Sequence, residues 1–208
     1  MAEPTKSAKA TGEKPAAPKT GAKDWKALLY TEDRVKKWAK GEMTLAELDG
    51  ISGPEMLEMA VTGFAMYEQG RYREAKVIFD GLAALDPKES YYRTALGAVY
   101  LAQDKLDEAH GEFDAAIKLN KEDIAAFVNR GEVRLRKGLI LEAATDFKAA
   151  VDLDPENKDP LSLHAQTLAA ATLETLEKRG LAENVLPKEA DLGAGKKPKA
   201  GAAPAKKK

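Results

Sequence analysis

The sequence predicts an all-α fold in which three helical hairpins stack in tandem, flanked by N-terminal helices and closed by a C-terminal capping helix. Three observations carry this expectation. An offset of 34 residues superposes the chain on itself, aligning Gly63, Gly97 and Gly131; Ala75, Ala109 and Ala143; Phe79, Phe113 and Phe147; and Leu85, Leu119 and Leu153. Within each copy the apolar residues recur at helical spacing on both sides of a break. The composition, 44% hydrophobic and 32% charged over 208 residues with a mean hydropathy of -0.45, is that of a chain able to bury a core in water.

The elements follow in order. Residues 1–23 hold five Lys against Glu3 and Glu13, a charge of +3, in an Ala, Pro and Gly context with few apolar groups to offset the entropy of ordering. They read as a disordered, solubilising tail. From Asp24 to Ala39, Trp25, Leu28, Leu29, Val35 and Trp38 stand among charges as a flanking helix, and Thr44 with Glu47 has the capping-box spacing for a second, short one. The hairpins occupy 56–89, 90–123 and 124–157. In the first, Met56, Met59, Met66 and Tyr67 step along one helix, Gly70 breaks it, and Ala75, Ile78, Phe79 and Leu82 resume the period. Gly and Ala recur where two helices must approach closely, and Phe79, Phe113 and Phe147 fill the space between neighbouring hairpins. Of Met56, Met59 and Met66, two occupy interhelix packing slots, where a core role is expected rather than an adaptable binding surface. A column of Asp86, Asn120 and Asp154 closes each unit, with Pro87 and Pro155 ending the second helix of the first and third. Pro160 opens a capping helix over 160–179, which ends before Gly180. Residues 180–208 form a second Lys-rich tail expected to be disordered; the span 187–208 carries +5, which leaves -9 on residues 24–186.

Several function classes are excluded. No apolar run approaches the ~20 residues of a membrane helix, the longest uncharged stretch being the 13 residues Leu161–Leu173, and the lysines at the start have no apolar stretch behind them as a secretory signal would. A cytoplasmic location is the expectation. The absence of Cys removes disulfides, thiolate metal sites and a cysteine nucleophile. The two His, at 110 and 164, lack partners at ligand spacing, and adjacent carboxylates such as Asp107/Glu108 and Glu122/Asp123 read as solvated surface. The three column glycines sit in no phosphate-loop pattern. No enzyme, no cofactor, no metal site and no small-molecule substrate are expected. Nucleic acid is not expected as a partner either, because the Lys-rich tails lack interleaved Arg and aromatics.

A 34-residue period with Gly at the eighth, Ala at the twentieth and Phe at the twenty-fourth position of each unit resembles the tetratricopeptide repeat. Residues 43–170 further resemble the class II type III secretion chaperones that hold hydrophobic translocator proteins: Thr44, Leu45, Leu48, Ile51 and Ser52 lead into a helix ending in Tyr67, Gly70, Arg71 and Tyr72. The tetratricopeptide resemblance implies that first helices line a concave face through the second, fifth, ninth, twelfth and thirteenth positions of each unit. The peptide-binding residues so implied are Leu57, Ala60, Phe64, Tyr67, Tyr91, Thr94, Ala98, Leu101, Val128, Glu132 and Leu135. Most are apolar or aromatic, which suits an extended peptide with apolar anchors. Relatives that clamp an acidic C-terminus carry Lys, Asn and Arg where this chain has Ala60, Phe64, Ala125 and Asn129, so that clamp is absent. The expected function is a peptide-binding chaperone that holds a hydrophobic, translocator-like protein client; a general scaffold or adaptor subunit of a multi-protein complex is the alternative. A homodimer through the N-terminal helices is left open.

Overall fold

A computed structural model describes residues 29–181; both Lys-rich tails, apart from Gly180 and Leu181, lie outside the described residues, as do Trp25 and Leu28. All regular structure among them is helical: α1 Glu32–Ala39, α2 Leu45–Asp49, α3 Gly53–Glu68, α4 Tyr72–Leu85, α5 Ser90–Ala102, α6 Leu106–Leu119, α7 Ile124–Arg136, α8 Ile140–Leu153 and α9 Pro160–Lys178. Helices α3/α4, α5/α6 and α7/α8 pair as antiparallel hairpins, each packs on the next, and α9 lies on α8.

The repeated glycines work sterically. A Cβ on Gly63 would stand 3.0 Å from the Phe79 ring, one on Gly97 2.5 Å from Phe113, and one on Gly131 2.5 Å from Phe147. Each ring therefore lies flush against the first helix of its own hairpin. The first two rings also reach the next hairpin: Phe113 shares a buried cluster with Val133 of α7, and Phe79 meets Tyr91 of α5 edge-on, centroids 6.3 Å apart. Ala75, Ala109 and Ala143 are fully buried in the facing helices. Met56 is buried, and Met59 and Met66 pack against the same core cluster.

Each second helix stops at its Leu, whether or not Pro follows. The Asp/Asn column turns the chain by itself: the Asp86 carboxylate accepts from the Lys88 N–H at 3.0 Å, Asn120 Oδ1 from Glu122 N–H at 2.9 Å, and Asp154 from Asp159 N–H at 2.8 Å. The turn after α6, where Lys121 replaces the proline, is thus made by Asn120 alone.

The N-terminal flank is more broken than its pattern suggests. Leu29 is helical, Tyr30 and Thr31 interrupt the helix, and α1 starts at Glu32, where Thr31 caps it by accepting from Arg34 N–H at 3.4 Å; residues 24–28 of the expected flanking helix lie outside the described residues. Arg34 ties it to α2 by donating to the Glu47 carbonyl at 2.5 Å. Thr44 and Glu47 form the reciprocal capping box, at 3.2 and 2.7 Å, and Ala46 joins the core of the first hairpin. Trp38 and Tyr30 remain about half exposed.

Arg130 occupies a column that holds Leu96 in the preceding repeat, and its charge is met by a network. Its Nε and Nη2 donate to Asp146 at 3.0 and 2.6 Å, its Nη1 to Asp114 at 2.5 Å, and Arg134 Nη1 lies 2.7 Å from Asp146. Asp146 is 1% exposed. A carboxylate so buried is tolerated because two guanidinium groups compensate it. The network joins α6, α7 and α8 and fixes the second hairpin against the third.

Candidate functional site

First helices α3, α5 and α7, with the start of α9, enclose a groove of about 600 Å³. Its apolar surface comes from Phe64 and Tyr67 of α3, Tyr91, Ala95 and Ala98 of α5, Ile124, Ala125 and Val128 of α7, and Leu161 of α9, with the Phe79 ring showing through from α4. Phe64 and Tyr67 stack at 6.3 Å with an interplanar angle of 18°. Together with Tyr91 they form an aromatic rail of large contact area and few rotatable bonds. Burial pushes the Tyr91 hydroxyl above its ordinary value. Burial does the same at Tyr67, where Tyr72 and Glu132 add to it.

Of the eleven residues the sequence nominated, Phe64, Tyr67, Tyr91, Thr94, Ala98, Val128 and Glu132 come together here. Leu57, Ala60, Leu101 and Leu135 do not. Ala60 is 2% exposed and belongs to the core of the first hairpin, so it offers a peptide no surface. Leu101 packs against the cluster of Ala109, Phe113 and Val133. Leu57 is 50% exposed on α3, two turns before Phe64, and Leu135 is half-buried near the end of α7. The groove meets α3 only near its C-terminal end, at Phe64 and Tyr67, but meets α5 from Ser90 to Ala98, α7 from Ile124 to Glu132, and the first turns of α9. The second and third repeats thus contribute equivalent positions, as in Tyr91 and Ala125 or Thr94 and Val128, whereas the first contributes only from its ninth position on.

The sequence reading missed one margin of the site. Glu89, Asp123 and Asp159 are the residues preceding α5, α7 and α9, and their carboxylates accept from the N–H groups of Tyr91 at 3.1 Å, Ala126 at 2.9 Å and Leu161 at 2.8 Å. Capping sets these side chains in a row along the groove. Glu122 joins them, and Glu132 stands with His164, whose Nε2 lies 3.1 Å away. Asp123 also accepts from the Thr94 hydroxyl at 2.7 Å, tying two repeats together beneath the rim. A signal was present: Glu89 and Asp123 are themselves 34 residues apart, with Asp159 following after a two-residue insertion.

Among the described residues, no three His, Asp or Glu side chains are grouped as a metal site would require. No helix there is long and apolar enough to cross a membrane. The arrangement offers an apolar channel with polar edges, which is a geometry for binding.

The family model "Tetratricopeptide repeat" matches residues 94–158. The chain is 33% identical over 90 residues to the Cell division cycle protein 27 homolog of Caenorhabditis elegans, a match covering 43% of this chain and 11% of that much longer protein. It is 31% identical over 129 residues to the Low calcium response locus protein H of Yersinia pseudotuberculosis, covering 60% of this chain and 76% of the relative. Among solved structures, the type III secretion translocator chaperone SycD of Yersinia enterocolitica superposes with a TM-score of 0.58 at 27% identity, over 62% of this chain and 97% of that one. SycD in complex with a peptide of the translocator YopD gives a TM-score of 0.55 at 25% identity, over 62% and 98%. The chain belongs to the tetratricopeptide-repeat family that includes the Low calcium response locus protein H of Yersinia, and it shares the fold of the type III secretion translocator chaperones.

Proposed function

We propose that this protein is a non-enzymatic chaperone that holds an extended, apolar segment of a client protein in the groove between α3, α5, α7 and α9, in the manner of a translocator chaperone in the cytoplasm. The observation that carries this reading is the aromatic and aliphatic channel of Phe64, Tyr67, Tyr91, Ala98 and Val128 on a fold whose relative SycD has been solved with a translocator peptide. An extended segment presents side chains alternately, so anchors can enter the channel while the intervening groups face water. Holding an aggregation-prone segment there removes its apolar surface from solvent.

Peptide display against the immobilised full chain, followed by titration of the selected peptides, tests the proposal. Enrichment of apolar anchors is expected, with binding weakened at least about 30-fold in the variant Phe64→Ala/Tyr91→Ala, since a desolvated aromatic anchor contributes about 2 kcal/mol. Circular dichroism establishes that the variant keeps its helices. Selected peptides that bind the folded variant as tightly as the wild type would overturn the groove as the client site.

A further inference from the structure

Building on the proposed client site, we infer that the groove selects a segment in which a Lys or Arg lies close to the apolar anchors, so that its ligand class is a basic and apolar extended peptide. Five carboxylates, those of Glu89, Glu122, Asp123, Glu132 and Asp159, line the same channel as the aromatic rail, and no Lys or Arg side chain lines it. The hydrogen bonds these carboxylates accept at the rim come from neutral groups: the N–H groups of Tyr91, Ala126 and Leu161 and the Thr94 hydroxyl. Capping therefore fixes the carboxylates without cancelling their charge. His164, beside Glu132, is the one basic side chain lining the channel among the described residues.

Outside the groove several Asp and Glu side chains pair with Lys or Arg, as in Arg93–Glu112, Lys76–Asp80, Lys137–Asp107 and Arg136–Asp104, while others such as Glu58 and Glu108 stand singly on the surface. In the concavity five carboxylates share one channel with no Lys or Arg in its lining, and low-dielectric walls focus their field. A purely apolar occupant would cover these carboxylates and remove their water without supplying a partner, which is unfavourable. An acidic occupant would be repelled. A cationic side chain next to the anchors meets the row of capping carboxylates while the anchors fill the channel, so charge complementarity sets register and rejects wrong segments more than it adds raw affinity.

The test uses one groove-binding peptide from the display selection in three synthetic forms, with Lys, Gln or Glu beside the anchor, titrated against the full chain at about 0.02 M and about 0.5 M salt. The Lys form is expected to bind about tenfold tighter than the Gln form at low salt and the Glu form more weakly still, with the spread collapsing at high salt. In the chain carrying Glu122→Gln and Glu132→Gln, neither of which caps a helix, the Lys form should lose most of its advantage while the Gln form binds as before. Equal, salt-insensitive binding of all three forms would overturn this inference and leave the apolar groove standing; binding of all three forms unaffected by Phe64→Ala/Tyr91→Ala would instead overturn the groove itself. The full chain with Lys196→Gln, Lys197→Gln and Lys199→Gln should bind the Lys form as the wild type does. A tenfold gain in that variant would assign the groove to the chain's own C-terminal lysines and overturn an external basic client.

Discussion

Replacing Gly97 by alanine should destabilise the protein, and the same replacement at Gly111 should stabilise it. Both glycines lie inside helices, α5 and α6, where alanine is intrinsically favoured by about 1 kcal/mol. At Gly111 a Cβ meets nothing within 4 Å, so that gain is realised. At Gly97 the new Cβ would stand 2.5, 2.7 and 2.8 Å from three atoms of the Phe113 ring. Phe113 is fully buried and shares its cluster with Ala109 and Val133, so the ring can retreat only by displacing its neighbours in the next hairpin. Overpacking of this kind costs up to about 3 kcal/mol, and subtracting the helix gain leaves a net loss of about 2 kcal/mol. For a domain of this size that is a fall of roughly 4 to 8 °C in Tm. Urea unfolding followed by circular dichroism supplies the number, with an unchanged m-value identifying a native-state effect. Gly63→Ala, where the nearest ring atom is 3.0 Å away, should cost less than Gly97→Ala. If Gly97→Ala and Gly111→Ala shift stability in the same direction, the close approach of first helix and Phe ring is not what the glycine column serves.

Three further outcomes follow from buried polar groups. Asp146→Ala strands the Arg130 and Arg134 guanidinium groups and should cost about 3 to 5 kcal/mol in urea unfolding, whereas Asp114→Ala, at a third-exposed partner of Arg130, should cost about 1 kcal/mol or less. Burial, followed by the fields of Glu89 and Asp86, pushes the Tyr92 hydroxyl up to about 12. Its folded-state value lies above the unfolded one, so stability held below pH 10 is lost as pH rises from 10 toward 12, and Tyr92→Phe should flatten that alkaline limb. Desolvation holds His110 below its ordinary 6.5 despite the opposing Asp114 carboxylate. The unfolded chain then takes up the proton first, so stability falls as pH drops below 6.5, and His110→Asn should remove that part of the acid limb in Tm-versus-pH scans.

The helices were legible because their determinants are local or strictly periodic. Thr44 and Glu47 make the capping box their spacing announces, and Pro160 and Gly180 bracket the last helix. The glycine and phenylalanine columns were legible for the same reason, each copy repeating one contact. Less of the groove could be read. A position-by-position transfer between repeats gives Leu57 and Ala60 the surroundings of Tyr91 and Thr94, and Leu101 and Leu135 those of Tyr67, but the channel meets α3 near its C-terminal end and α5 and α7 nearer their starts. The carboxylate margin escaped because Glu89, Asp123 and Asp159 precede their helices, where an acidic residue reads as a cap, and the cap is also what aims it along the groove. His164 meets Glu132 over 32 residues of sequence, a contact no local pattern encodes. Arg130 stands in a column with Thr62 and Leu96, and its partners Asp146 and Asp114 lie on two other helices, so no local pattern encodes the network.

The proposed client site can be tested directly by following the backbone amide resonances of the full chain while a display-selected peptide is titrated in. Perturbations should concentrate at Phe64, Tyr67, Tyr91, Ala95, Ala98 and Val128, extend to Leu161 and His164 of α9, and leave the far ends of α5 and α7, at Leu101 and Leu135, little changed. Perturbations confined to the outer face of α4 and α6, around Val77 and Gly111, or to α1 and α2, would contradict the proposal that the groove receives a client segment.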